Sequence, residues 1–272
     1  MTVTAASTTE PTPSTAPAAS SSASPRVRVL DGYFMERSAD TKAEVKTEDK
    51  EEEEGPPLFM RYALAPLSWA AFEARLAHEA DAASVKVLYL VRHAEGTHNA
   101  KDREVGTPRW EAEFARTEAF LDADLTPFGV DDARRKGRPA NFFAPDQLPE
   151  APFAAFELCR ETLGVHTCDK RRPLSELRRK FPDVDFAFRG AAMRDEQDVM
   201  WEADHRETSA EIQARALLFL AQLYREVPER HVAVVAHSGF IEAVCAVTLG
   251  QNIHAANCEC IPMVLEVAAD EA

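Results

Sequence analysis

Hydrophobic and polar positions divide this chain into a few readable elements and several stretches without pattern. Two short apolar runs carry the strongest signal, Leu88-Tyr89-Leu90-Val91 and Val232-Ala233-Val234-Val235-Ala236; the first leads through Arg92 to His93, the second directly to His237. Continuous runs of that length, closed by small residues, predict strands buried on both faces of a parallel sheet. Ser209 to Glu226 has helical periodicity, with Ile212, Ala216, Phe219, Leu220 and Leu223 on one face and Thr208 and Glu211 at capping-box spacing. Ser68 to Ala83 predicts another helix, capped by Ser68, with Trp69, Phe72 and Leu76 on its apolar face. Val27 to Leu30, Phe153 to Phe156 and Met263 to Val267 read as further strands, and a helix opens at Phe240. Strands alternating with helices predict an α/β fold with right-handed crossovers.

The remainder of the chain bounds this picture. Its 272 residues are 45% hydrophobic, enough for one sizeable core and short of two. Residues 1–26 are mostly Ser, Thr, Ala and Pro, a composition that predicts a disordered low-complexity tail. That tail has neither the basic residues of a presequence nor the apolar region of a secretory signal. Residues 27–84 read as an extension containing a polar insert, 36–57, that ends in Glu51-Glu52-Glu53-Glu54, and one helix; residues 85–272 read as the main domain. A net charge of −15 argues against nucleic acid and anionic membrane as partners, and no run is long enough to span a bilayer. Five scattered cysteines fit reduced thiols and a cytoplasmic location. Cys258 and Cys260 have no companion pair at metal-ligand spacing, so no metal or other cofactor is expected.

Ligands of open α/β sheets bind at the carboxyl ends of the strands, where both histidines fall. A neutral imidazole is a nucleophile near pH 7, and His93 can attack phosphorus and carry the phosphoryl group covalently. Arg92 can meet the charge on the transferring group as a bidentate fork, and a protonated His237 as a second donor. Arg92 and His93 share one pocket only if the chain leaves the strand pleat there, which Gly96 and Thr97-His98-Asn99 suggest.

Arg92-His93-Ala94-Glu95-Gly96-Thr97-His98-Asn99 and His237-Ser238-Gly239 resemble the two histidine motifs of the histidine phosphatase superfamily, which includes the cofactor-dependent phosphoglycerate mutases. Asp124-Leu125-Thr126-Pro127-Phe128-Gly129 is similar to the family's Leu-Thr-x-x-Gly turn into a helix. The segment Glu157 to Arg172, with Asn257-Cys258-Glu259 and Asp31-Gly32-Tyr33-Phe34, resembles the plant and fungal phosphomutase-like branch. The resemblance implies a three-layer α/β/α sandwich of the phosphoglycerate mutase type with a mostly parallel sheet. It also implies a metal-independent phosphatase acting on small phosphate monoesters through a phosphohistidine at His93. Arg92 and His237 then belong to the phosphate pocket, with Asn99 as a further donor. Glu161 becomes the general acid, with Glu157, in the same pocket, as the alternative. Mutase-type phosphotransfer and an inactive member serving as a binding protein are the other readings.

One departure stands out. The strand and Ser-Pro-x-x-Arg-x-x-x-Thr helix that normally follow the Leu-Thr-x-x-Gly helix are absent, so a strand-helix unit and a second phosphate-binding arginine are missing. Arg134, Arg135 or Arg138 can replace that arginine, or can be the solvated basic end of a helix. Lys170, Arg171 and Arg172 either line the mouth of the site or pair with acidic surface groups.

Overall fold

The computed structural model describes residues 27–37, 61–65, 68–78, 85–136 and 152–267. The predicted tail 1–26, nearly all of the insert 36–57, and Arg138 lie outside them. A four-stranded sheet has the order β1 (Val27–Val29), β8 (Cys260–Val267), β4 (Val85–Arg92), β7 (His231–Ala236). The strand β4 alternates between two cores. Leu88 and Leu90 face a cluster with Phe219 and Leu220 of α6 (Ser209–Glu226) and Phe240 and Val244 of α7 (Ser238–Leu249). Val85, Val87 and Tyr89 face the opposite cluster, with Tyr33 and with Phe72 and Leu76 of α1 (Trp69–Leu76). Helices on both faces make the expected three layers.

Of the three strand pairings in this sheet, only β4 with β7 is parallel; β8 is antiparallel to both β4 and β1, so the sheet is mixed rather than mostly parallel. After α7, residues 250–259 bring the chain back to the histidine end, where the Cys258 N–H donates to Arg92 O. From there β8 can only run down the sheet, opposite to β4. The strand β7 forms the outer edge among the described residues, and its Val235 is 63% exposed. The resemblance noted in the sequence, with its missing strand-helix unit, implies such an edge.

Local chemistry follows the predictions at several ends. Thr208 and Glu211 close a reciprocal capping box on α6, and the Ser68 side chain accepts from Ala71 N–H at the start of α1. The helix predicted through Ala83 ends at Leu76, and α7 begins at Ser238 rather than Phe240. The strand predicted over Phe153–Phe156 shrinks to β5 (Phe153–Ala154), which pairs with β6 (Val184–Asp185) outside the central sheet. Phe153 is 69% exposed, and the chain turns under α6 immediately afterwards.

Beyond β4 the chain leaves the pleat and is fastened to its surroundings. The Thr126 N–H donates to Glu95 O (2.9 Å), Thr97 N–H to Asp124 O (2.8 Å), and Thr126 Oγ1 donates to Glu95 Oε1 (2.8 Å). A Cβ at Gly129, in the first turn of α4 (Pro127–Lys136), would come within 2.1 Å of Glu95 O. Only glycine lets this helix sit against the loop, which gives the Leu-Thr-x-x-Gly spacing its physical meaning.

Candidate active site

Parallel pairing of β4 with β7 sets Arg92 opposite Ala236, so both strands end at the same level. The His93 N–H extends the ladder by one bond to Ala236 O (2.9 Å), and the His93 and His237 rings stand 4.7 Å apart, centroid to centroid. Asn257 Nδ2 and the Cys258 N–H both donate to His93 O, holding its backbone from the other side. His93 Nδ1 lies 2.6 Å from Ala94 O. A carbonyl can only accept, so this bond places the proton on Nδ1 and leaves Nε2 with its lone pair free. Burial lowers the His93 pKa, with the Arg92 charge adding to the effect and the Ala94 bond opposing it.

His237 is the N-cap residue of α7. Burial, followed by the charge on His93, holds it down to about 3, so at neutral pH it is an uncharged imidazole. Burial and repulsion from two other histidines thus oppose the proton expected on His237 in the free protein, while the Glu161 carboxylate beside it favours that proton. His98, the second residue of α2 (Thr97–Val105), was not singled out as a site residue, although it lies in the first motif. Its ring is 5.7 Å from that of His93, its Nδ1 is buried without a partner among the described residues, and burial lowers it to about 4. Arg92 NH1 donates to Ala255 O (2.9 Å), and its buried Nε has no partner among the described residues. Asn99 spends its Oδ1 accepting from Gly96 N–H (3.0 Å) at the start of α2.

The two candidate acids separate clearly. Glu161 Oε2 accepts from Gly239 N–H (3.1 Å) and Ser238 Oγ (3.4 Å), and Oε1 from Thr162 N–H (2.8 Å), so the carboxylate rests on the first turn of α7 beside His237. Burial pushes its pKa up, but the charge His237 carries when protonated, these two N–H donors and the Arg206 charge outweigh that and hold it below its ordinary value. A Cβ at Gly239 would lie 2.4 Å from Glu161 Oε1, so the glycine of His-Ser-Gly makes room for the carboxylate. Glu157 instead accepts from Arg171 Nε (2.7 Å) and Arg160 NH1 (3.1 Å), with each oxygen held by an arginine.

No replacement for the missing arginine comes from α4. Arg134 pairs with Asp131 and is 78% exposed at its side chain, and Arg135 pairs with Asp132 at 2.6 Å. Arg172 pairs with Glu176 and Asp122, whereas Lys170 and Arg171 line a cavity of about 200 Å³ together with Glu157, Arg160, Glu161, Asp169 and His237. His166, Cys168 and Asp169 bring three metal-type donors within 4.8 Å, but Asp169 Oδ2 already holds Arg206 (2.6 Å), Oδ1 takes the Cys168 thiol (3.3 Å), and His166 Nε2 meets Glu111 (2.9 Å). No helix among the described residues is long and apolar enough to cross a membrane.

A profile of the histidine phosphatase superfamily (branch 1) matches residues 172–263. The Phosphoglycerate mutase-like protein of Arabidopsis thaliana is 36% identical over 161 residues, 56% of this chain; the chain spans only 56% of that relative's length. Phosphoglycerate mutase-like protein 1 of the same plant is 31% identical over 237 positions, covering 66% of this chain and 81% of that protein. Those 237 positions exceed the share of this chain that takes part, so the relative carries residues with no counterpart here. Among solved structures, a mycobacterial glucosyl-3-phosphoglycerate phosphatase is 17% identical, with a TM-score of 0.34, over 66% of this chain and 90% of its own. From the Arabidopsis relatives, the profile and the motif residues brought together at the strand ends, this chain belongs to the histidine phosphatase superfamily, in its phosphoglycerate mutase-like branch.

Proposed function

We propose that the protein hydrolyses small phosphate monoesters by way of a phosphohistidine at His93. The observation that carries this reading is the His93 ring, which is bound through Nδ1 to the adjacent carbonyl, so that its neutral form leaves Nε2 unprotonated, and stands 4.7 Å from the His237 ring. In the first step the Nε2 lone pair forms a bond to phosphorus while the ester P–O bond breaks, and the departing oxygen takes a proton from the Glu161 carboxyl. A water then attacks phosphorus, its proton goes to Glu161, and the N–P electrons return to Nε2 as inorganic phosphate leaves. Arg92 and the uncharged rings of His98 and His237 supply donors to the equatorial oxygens.

Glu161 is ionised in the free protein, so the acid needs a proton that arrives with the substrate. A monoester with one negative charge brings it, and its second ionisation lies near ~6. Because His93 stays neutral below the usual histidine range, the expected kcat/KM holds on the acid side and falls as pH rises through about 6. With one cation fewer at the phosphate, binding forgoes a charge-assisted contact worth about 1.5–3 kcal/mol.

Hydrolysis of phenyl phosphate by the wild type and its loss in His93→Ala test the proposal; equal rates in the two proteins overturn it. Interconversion of phosphoglycerates without phosphate release would replace it with the mutase reading. Absence of both activities would favour a binding protein.

A further inference from the structure

Glu161 and His237 line one end of a cavity, and the His93 ring stands 4.7 Å from that of His237, so a leaving group protonated by Glu161 would extend toward residues that line this space. Two chemistries meet there. Phe156, Leu177, Phe186 and Met193 form an apolar wall, and Leu177, Phe186 and Met193 belong to one buried cluster. The charged lining is four carboxylates, Asp122, Glu157, Glu161 and Asp169, against three cations, Arg160, Lys170 and Arg171.

Those cations are mostly committed elsewhere. Arg171 has five N–H donors and spends all five, Nε on Glu157 Oε1 and the others on the carbonyls of Arg172, Asp195, Glu196 and Gln197, at 2.7 to 3.2 Å. Arg160 is locked to both oxygens of Asp198, to Glu157 and to Asp169 O. Lys170 lies over the Trp201 ring, 4.7 Å from its centroid, and among the described residues forms no ion pair with a carboxylate. A leaving group bearing its own carboxylate or second phosphate would find the guanidinium donors of Arg171 used up and those of Arg160 engaged, with Glu157, Asp169 and Asp122 already paired to arginines, so that of the lining cations among the described residues Lys170 alone is left to meet its charge. An uncharged ring meets the apolar wall instead. The volume of about 200 Å³ exceeds that of the dry apolar cavities, about 150 Å³, that accept a benzene ring.

We infer that the site selects phosphate monoesters of uncharged, partly apolar alcohols or phenols over phosphoesters that carry a second anionic group. This rests on the hydrolase reading above and narrows it.

The direct test compares kcat/KM of the full-length protein on phenyl phosphate and on 3-phosphoglycerate at one pH. At least a tenfold preference for phenyl phosphate is expected; equal or better use of 3-phosphoglycerate overturns the inference, doubly so if Lys170→Met removes it. Met193→Lys, which places a cation in the apolar wall, is expected to shift the ratio at least tenfold toward 3-phosphoglycerate, and an unchanged ratio in the folded variant counts against the assignment. Calorimetric binding of phenylphosphonate against phosphonoacetate reads the same preference without turnover. Tighter binding of phenylphosphonate by a protein that hydrolyses nothing would sink the hydrolase reading and leave the selectivity standing; tighter phosphonoacetate binding would sink the selectivity alone.

Discussion

The strands β4 and β7 are each followed directly by a histidine, yet the protein holds them very differently. β4 is paired on both edges, its first six residues are buried, and the backbone of His93 at its end is gripped by Ala236, Asn257 and Cys258. β7 is paired on one edge among the described residues, alternates between exposed and buried positions, and passes directly into the helix that His237 caps. The lesson concerns the missing strand-helix unit. Among the described residues β7 is an edge where the resemblance implies a further strand, while the contacts that hold the His93 backbone come from Ala236, Asn257 and Cys258.

That contrast can be broken most forcefully at the histidines themselves. His93→Gln removes the proposed nucleophile and is expected to lower kcat on an aryl phosphate by on the order of 10⁴-fold or more. His237→Gln removes one donor to the transferring group and should cost about 10²–10³-fold. Steady-state kinetics on both variants checks the order, and a larger loss at His237 would reverse the assignment of roles. The next effect is on stability. Leu90→Ala, in the fully buried β4, should cost about 2–5 kcal/mol by denaturant unfolding.

Acid sharpens the comparison further. His98 and His237 stay unprotonated in the folded protein until about 4 and about 3, whereas in the unfolded chain they take up protons near the usual histidine value of about 6.5. The unfolded state therefore binds more protons between those limits. Stability is complete above about pH 6.5 and declines as pH falls toward 4, by at most about 1.4 kcal/mol per pH unit for each such ring. Urea unfolding from pH 7 to 4 is expected to show a shallower decline in His98→Gln. Smallest of all, Val235→Thr on the exposed face of β7 should change stability by no more than about 0.5 kcal/mol. A loss as large as that of Leu90→Ala would mean that something packs on that edge.

Much of this was legible in the chain because it depends on short-range pattern. Apolar runs gave away both histidine strands, and the Thr208 to Glu211 spacing set the start of α6. The Leu-Thr-x-x-Gly turn was visible as a motif, although its reason, the closeness of Glu95 O to Gly129, is a tertiary contact. What the sequence withheld depends on return paths and on burial. The direction of β8 follows from where residues 250–259 travel, and hydrophobicity alone does not reveal it. Protonation of His237 depends on its enclosure by His93 and His98, and the commitment of Arg171 depends on carbonyls more than twenty residues away. His98 is the position that motif reading passed over; its place five residues beyond His93, as the second residue of a helix, is the available clue.

The central claim is that His93 carries the phosphoryl group. Mass spectrometry of the protein quenched in alkali during turnover of an aryl phosphate tests it directly. The account predicts a phosphorylated histidine on the peptide containing His93, absent from His93→Gln; turnover with no phosphorylated residue, or with the phosphoryl group on any other side chain, would contradict it.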